Sequence, residues 1–288
     1  MSPVLLGSFW MLLTVISFVC VSVSVRALSV DMAPVEILFL RSIVGTLMFV
    51  PWIARGGLRV LHTRKFPQHA IRAAMMGVGM VMWFAAIAAL PLGDAIALHF
   101  TLPLFLIVFA ALILREKVDA QRWIATAVGF AGVLVIIRPG MTEISIAVVY
   151  VLGSAALYAA SLAMAKPMSA TESGNATAFY MNALILPGAA IALPFYWTPV
   201  GWQHAGWIAL LGIAGSTAHI CIVRAFRHAD ASALAPIDFL RLVFAAGAAY
   251  VLFGDVSDAW TWTGAGIIFS AAWYNAWRAR RLELAETA

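Results

Sequence analysis

The 288-residue chain is 64% hydrophobic and only 11% charged, and its mean hydropathy is +0.96. A soluble domain of this composition would lack the polar surface that faces water, so the composition excludes a soluble protein and indicates one that spans a membrane. The formal net charge of +5 at neutral pH would suit a nucleic-acid partner, but the positions of the basic residues point to membrane topology instead.

Ten apolar stretches, joined by short connections, follow one another along the chain, and each is long enough to cross a bilayer. We predict helices at residues 3–25, 34–54, 70–91, 94–114, 121–138, 143–166, 174–196, 203–226, 231–253 and 259–278. The longest connection runs from Arg55 to His69 and is too short to hold a folded domain. The predicted fold class is therefore an all-α integral membrane protein with ten transmembrane helices.

The basic residues are concentrated in alternate connections. Of the eighteen Lys and Arg residues, Arg41 and Arg241 lie inside helices and Arg26 and Arg138 on one predicted side, which leaves fourteen on the other. Basic residues accumulate on the cytoplasmic side of membrane proteins. We therefore expect both termini in the cytoplasm, the lipid bilayer as partner and no nucleic acid.

A short repeat divides the chain into two similar halves. The segment from Asp94 to Leu98 returns 136 residues later from Asp230 to Leu234, each time at the start of the fourth apolar stretch of its half. We predict five-helix units at residues 1–138 and 139–288, which cross the membrane in opposite senses because five is odd. Inverted repeats are typical of secondary transporters, whose substrate site lies at the repeat interface near mid-membrane.

The pattern around this repeat resembles a known family. Asp94 leads into a helix with Pro103, the hydrophobic run ends in Leu-Arg-Glu at 114–116, and Gly129 and Gly132 follow in the next helix. The second half repeats this order with Pro236, Asp255, Gly264 and Gly266. The chain is similar to the EamA repeat of the drug/metabolite transporter superfamily, and within it to the aromatic amino acid exporters. This resemblance implies an inner-membrane exporter of amino acids or related metabolites that works without an ATPase subunit.

Arginines inside the membrane are the first candidate functional residues, because charged side chains there normally face a cavity or a partner. Arg41 has no acidic residue one turn away, so it either clamps a substrate carboxylate or anchors two helices. Asp238 and Arg241 are three residues apart and can pair on one helix face. They form either a local ion pair or a coupling element in which one partner swaps to the substrate.

The repeat register places Trp83 and His219 at equivalent positions. Met80 and Trp83 lie on one helix face and Ser216 and His219 on the equivalent face, so two walls of a substrate cavity are one interpretation and ordinary helix packing is the other. His99 and Tyr158 are further candidate substrate contacts.

For coupling and gating, the candidates are mainly residues in the middle of helices. His99, His219 and Asp238 are the candidates for proton transfer if transport is proton-coupled. Pro103 and Pro236 can kink equivalent helices, as gating points or as fixed bends. Asp94 and Asp230 directly precede apolar stretches, which predicts that each caps a helix N-terminus.

The alternatives are a proton antiporter for other small molecules or drugs, a channel and an intramembrane enzyme. The sequence contains neither a zinc-protease motif nor a phosphate-binding loop, and Ser216 and His219, one turn apart, are a weak sign of nucleophilic catalysis. We therefore predict an alternating-access carrier for small metabolites such as amino acids, with no enzymatic activity, cofactor or metal.

Overall fold

The structure analysed is a computed structural model that describes residues 3–113, 115, 118–140, 145–168, 171–229 and 231–287. The side chains at positions 3, 4, 58, 166, 219, 231–233 and 282–287 are not part of this description. The His219 side chain and the whole of Asp230 and Glu116 therefore lie outside the described residues.

All of the described secondary structure is helical, and its order follows the hydropathy pattern. The helices are α1 Pro3–Leu28, α2 Pro34–Leu47, α3 Val50–Gly56, α4 Phe66–Ala89, α5 Leu92–His99, α6 Leu102–Ile113, α7 Ala120–Ile137, α8 Ile146–Met168, α9 Gly174–Tyr196, α10 Trp202–His228, α11 Ala231–Phe253 and α12 Ala259–Thr287. Within the described residues, nine helical spans are long and apolar enough to cross a membrane. These findings confirm an all-α membrane protein, and α12 coincides with the tenth predicted span.

Two of the predicted helices are interrupted, and a proline accounts for each interruption. Proline has no N–H to donate to the carbonyl four residues earlier. Pro51 therefore leaves the carbonyl of Leu47 without its helical hydrogen-bond donor, and Pro103 leaves the backbone carbonyl of His99 without one. The helices α2 and α5 end at those two residues. By contrast, α11 continues unbroken through Pro236, so the two equivalent prolines do not produce matching breaks.

The two halves of the chain are intertwined rather than side by side. In the first half α1 packs against α10 and α11, and in the second half its equivalent α8 packs against α4, α5 and α6. These contacts define a first helix group (α1, α10 and α11) and a second helix group (α4, α5, α6 and α8). The equivalent pairs α2–α9 and α7–α12 also pack together, as expected for helices on a shared two-fold axis.

Close approach of α7 and α12 depends on glycine. A Cβ added to Gly132 would lie 2.9 Å from the carbonyl oxygen of Gly264, and one added to Gly264 would lie 2.6 Å from that of Gly132. Small residues at such crossings let membrane helices pack backbone against backbone. This contact fixes the outer helices and leaves the helices nearer the centre to form the site.

Candidate substrate site

Three aromatic rings from the second helix group form the centre of the candidate site. The ring of Trp83 on α4 lies 4.4 Å from that of His99, measured between centroids, and the ring of Tyr158 on α8 lies 5.5 Å from His99 on its other side. The helix break at Pro103 makes His99 the last residue of α5. Ser154 on α8 lies 3.5 Å from His99 Nε2. The four side chains, which we call the aromatic cluster, offer flat apolar faces with polar edges.

Arg41 lies next to the aromatic cluster and joins the two predicted walls. Its Nη1 is 3.4 Å from the sulfur of Met80, which is one turn before Trp83 on α4. Helix α10 also approaches the guanidinium, because a Cβ added to Gly215 would lie 3.4 Å from Nε and Nη2 of Arg41. Only 8% of Arg41 is exposed. The structure thus brings together Arg41, Met80 and the aromatic cluster, as the sequence analysis predicts for substrate contacts, although their role stays a prediction.

Arg241 occupies a second position near the cluster. Its guanidinium lies over the rings of Phe100 and Phe18, at 4.7 and 5.4 Å from their centroids, and 3.5 Å from Asp238 Oδ2. The predicted pairing of Asp238 with Arg241 is therefore present. The aromatic faces stabilise the cation in addition to the carboxylate. Within the described part of the chain, Arg241 therefore has stronger partners than Arg41, whose partner is the Met80 sulfur.

The small-residue face of α10 packs against α2. A Cβ on Gly212 would lie 2.3 Å from Val44 Cγ1, which shows that these two helices approach closely at this point. Ser216 is half-buried directly after Gly215, the residue that approaches Arg41. The partner that the structure gives Trp83 is His99, and the predicted contribution of His219 lies outside the described residues.

One end of the molecule is closed by Arg26, the basic residue at the end of α1. Its Nη1 lies 2.5, 2.9 and 3.1 Å from the carbonyl oxygens of Ile87, Ala88 and Leu90, in the turn from α4 to α5. Its Nη2 lies 3.6 Å from Asp255, which accepts a hydrogen bond from the backbone N–H of Leu92. We call these contacts the Arg26 clasp. They join the first helix group to the second.

The described residues show no equivalent of the Arg26 clasp at the opposite end. Both α1 and α2 pack against α4, whereas α8 and α9, their repeat equivalents, make no extended contact with α10 over the described parts of these helices. The described contacts between helices therefore depart from two-fold symmetry, with the Arg26 clasp joining the two helix groups at one end.

Further polar pairs lie near the same end of the molecule. Asp94 Oδ1 lies 2.9 Å from the hydroxyl of Thr261, in the first turn of α5 rather than at its N-cap, so the prediction of a capping Asp94 is wrong. The helix instead begins at Leu92, after Pro91. Burial raises the pKa of Asp258, but hydrogen bonds from Thr261 and the nearby Arg138, 2.6 Å away, outweigh it and hold that pKa below its ordinary value.

Sequence reasoning missed three residues of this arrangement. Arg26 and Asp255 appear in the sequence as loop charges, and only the fold brings them onto the α4–α5 turn. Glu36 is fully buried in the first turn of α2, where Oε1 accepts a weak hydrogen bond from the Thr198 N–H at 3.4 Å. Its Oε2 has no hydrogen-bond partner among the described residues. An acidic residue inside a predicted span was the available signal for Glu36.

Comparison with known proteins gives the family context. A riboflavin transporter of Vibrio cholerae is 30% identical over 96% of this chain and 94% of its own length, and an S-adenosylmethionine uptake transporter of Rickettsia felis is 31% identical over 93% and 91%. A pseudopaline exporter of Pseudomonas aeruginosa is 28% identical over 88% and 90%. One solved crystal structure shares the fold with a TM-score of 0.63, at 18% identity over 98% of each chain.

These names differ from the aromatic amino acid exporters that the sequence analysis favours, and they include both uptake and export. They are names of transporters, in agreement with the expectation that the chain is not an enzyme. The EamA-like transporter family matches the chain twice, at residues 5–138 and 145–277. The protein is a membrane transporter of the EamA-like family, built from two EamA repeats.

Proposed function

We propose that this protein is a secondary carrier that moves small metabolites with a flat aromatic ring across the bacterial inner membrane by alternating access. Aromatic amino acids and adenosyl amino acids are the substrates that we consider first. The observation that carries this proposal is the aromatic cluster, in which the buried rings of Trp83 and His99 and the half-buried ring of Tyr158 form one mostly apolar surface.

A planar substrate would bind by stacking on the rings of the cluster. Aromatic pairs at centroid distances of 4.5–7 Å are favourable by about 0.5–1.5 kcal/mol beyond the burial of apolar area. Met80 beside Trp83 adds a polarisable side chain that adapts to different ring shapes. The relatives named for riboflavin and S-adenosylmethionine support this substrate class, because both compounds contain fused heteroaromatic rings.

Alternating access is supported by the inverted repeat and by the difference between the two ends. In this mechanism, the carrier would open the Arg26 end while the other end closes. Pro103, through its helix break, and the pair of Asp238 and Arg241 are candidates for gating or coupling. The direction of transport and its coupling to protons stay predictions, with outward movement expected from the sequence.

Counterflow in liposomes tests the function. Purified protein would be reconstituted and loaded with unlabelled phenylalanine, tryptophan, S-adenosylmethionine or riboflavin, and uptake of the labelled compound would be measured with and without a pH gradient. We expect saturable counterflow of at least one of them without a gradient. Accumulation that requires the gradient would instead identify a proton-coupled carrier, and a lack of counterflow for all four would refute the substrate class.

Trp83→Ala provides the link to the site. Loss of one stacking partner should raise the concentration of the transported compound at half-saturation by about tenfold. Trp202→Ala is the matched control, because Trp202 is 95% exposed and lies far along the chain from the cluster. Equal counterflow by wild type and Trp83→Ala would exclude the aromatic cluster as the substrate site.

A further inference from the structure

The buried guanidinium of Arg41 has no charge partner among the side chains that the structure describes. Among the described residues, no carboxylate lies within ion-pair distance of it, whereas Arg26, Arg138, Arg241 and Arg278 each have one. Its hydrogen-bond partner is the Met80 sulfur, and a thioether is a weak acceptor that satisfies little of a group with five N–H donors. Buried charges are normally paired, because an uncompensated one is strongly unfavourable.

The backbone of α10 lies against one edge of the Arg41 guanidinium. A Cβ on Gly215 would lie 3.4 Å from Nε and Nη2, so at this position α10 presents a hydrogen atom and no side chain to the cation. Met80, whose sulfur contacts Arg41, lies one turn before Trp83 of the aromatic cluster. The unpaired cation and the ring surface are therefore adjacent parts of one site.

We propose that Arg41 is the anion anchor of this site and that the transported ring compound carries a carboxylate. The planar guanidinium forms two parallel hydrogen bonds with a carboxylate, a geometry that a lysine cannot reproduce. The inference rests on the proposed function and narrows its substrates: amino acids and S-adenosylmethionine carry this group, whereas riboflavin does not. The sequence leaves two roles open for Arg41, a clamp for a substrate carboxylate and a structural anchor between two helices, and this proposal favours the clamp.

The first part of the test needs no substrate. We would compare the thermal unfolding temperature of detergent-purified wild type, Arg41→Met and Arg278→Met. Removing an unpaired buried charge should leave the Tm of Arg41→Met unchanged or higher. Arg278→Met is the matched control, because Arg278 lies 2.6 Å from Asp119, and its loss should lower the Tm. A lower Tm for Arg41→Met of the same size as the control would overturn the proposal.

The second part measures ligand binding with tryptophan and tryptophan amide, which share the ring and differ in the acid group. Wild type should bind tryptophan about 10- to 100-fold more tightly than the amide, the range expected for hydrogen bonds between charged groups. Arg41→Met should reduce this preference to about threefold or less, and Arg278→Met should keep it. Retention of the full preference in Arg41→Met would overturn the proposal.

The outcomes separate this inference from the proposed function. If Arg41→Met does not fold, Arg41→Lys replaces it, because lysine keeps the charge and loses the planar fork of the guanidinium. A tenfold or larger fall in the affinity for tryptophan, with an unchanged affinity for tryptophan amide, would then support Arg41 as the anion anchor. Equal binding of acid and amide by wild type overturns the anchor while the ring site stands. If neither compound binds, tryptophan is excluded as a substrate, and the comparison of Tm values still decides the role of Arg41.

Discussion

Loss of the Arg26 clasp should open the closed end of the carrier. Arg26→Gln removes the ion pair with Asp255 and most of the hydrogen bonds to the carbonyls of the α4–α5 turn. Hydrogen bonds from charged donors contribute about 1.5–3 kcal/mol each, but three acceptors share one nitrogen and the side chain is 22% exposed. We take roughly 2–4 kcal/mol for the set, which shifts the closed-to-open ratio by about 30- to 900-fold. A preference of about 99:1 would fall to roughly 3:1 or lower.

Accessibility of the site to a thiol reagent measures this shift. Ser154→Cys would be introduced beside His99 in a background with Cys20 and Cys221 replaced by serine. The distribution of basic residues predicts that the Arg26 end faces the periplasm. A membrane-impermeant methanethiosulfonate added outside intact cells should therefore modify the new cysteine at least tenfold faster in Arg26→Gln than in its parent.

Arg138→Gln is the matched control for this prediction. Arg138 pairs with Asp258 near the same end, at 2.6 Å, but this pair joins the end of α7 to the start of α12, and the described residues show no hydrogen bond from Arg138 to the α4–α5 turn. Its modification rate should stay within about twofold of the parent, as expected for a pair that makes no contact between the two helix groups. An unchanged rate in Arg26→Gln would refute the clasp as a gate. An equal increase in both variants would indicate general loosening of this end instead.

Three further predictions concern packing and pH. Gly79→Val should reduce substrate affinity more than stability, because a Cβ at this position already lies 3.0 Å from the Tyr158 ring and a larger side chain would displace that ring; ligand titration and thermal unfolding would separate the two effects. Gly132→Val should destabilise the protein by about 1–3 kcal/mol by forcing α7 and α12 apart, measured as a lower Tm, and a Tm equal to wild type would contradict the backbone contact. Since the pKa of Asp258 is below its ordinary value of 3.8, its pair with Arg138 should stabilise the protein at neutral pH and lose this contribution as the pH falls from about that value through the lowered pKa. Asp258→Asn should therefore flatten the pH dependence of the Tm below pH 5, and an unchanged profile would contradict this contribution.

Hydropathy predicts most of this fold because one physical constraint dominates it. Backbone polar groups cannot remain unpaired in lipid, so each apolar stretch of sufficient length becomes a helix. The predicted span at 174–196 coincides with α9, and that at 231–253 with α11. Where the predictions failed, as in the interruption of the second span, the cause was local: Pro51 leaves the carbonyl of Leu47 without its donor. The sequence therefore identifies the carbonyl that loses its hydrogen bond, four residues before each proline. It does not identify whether the helix breaks there, since α11 continues unbroken through Pro236.

The site is less predictable because it depends on contacts between distant segments. The repeat register places Trp83 and His219 at equivalent positions, but equivalence under a two-fold axis does not require contact. The ring against Trp83 belongs to His99, in the next helix of the same half. Contacts such as Arg26 with the α4–α5 turn leave no periodic signal in the sequence at all, because their acceptors are backbone carbonyls that every residue possesses.

Helix α5 connects the Arg26 clasp to the aromatic cluster and so provides a path for coupling substrate binding to gating. Arg26 on α1 and Asp255, two residues after α11, contact the turn just before α5. Helix α5 is eight residues long and ends at His99 in the aromatic cluster. A short helix, interrupted by Pro103, therefore connects the closed end directly to the site. A substrate that tilts the His99 ring would move α5 as a rigid body and strain the contacts of Leu92 and Leu90 with the clasp. Such coupling requires that the ligand bind the two states unequally. The clasp variant tests it: Arg26→Gln should change the affinity for a ring substrate as well as the accessibility of Ser154→Cys, whereas unchanged affinity would show that gate and site act independently.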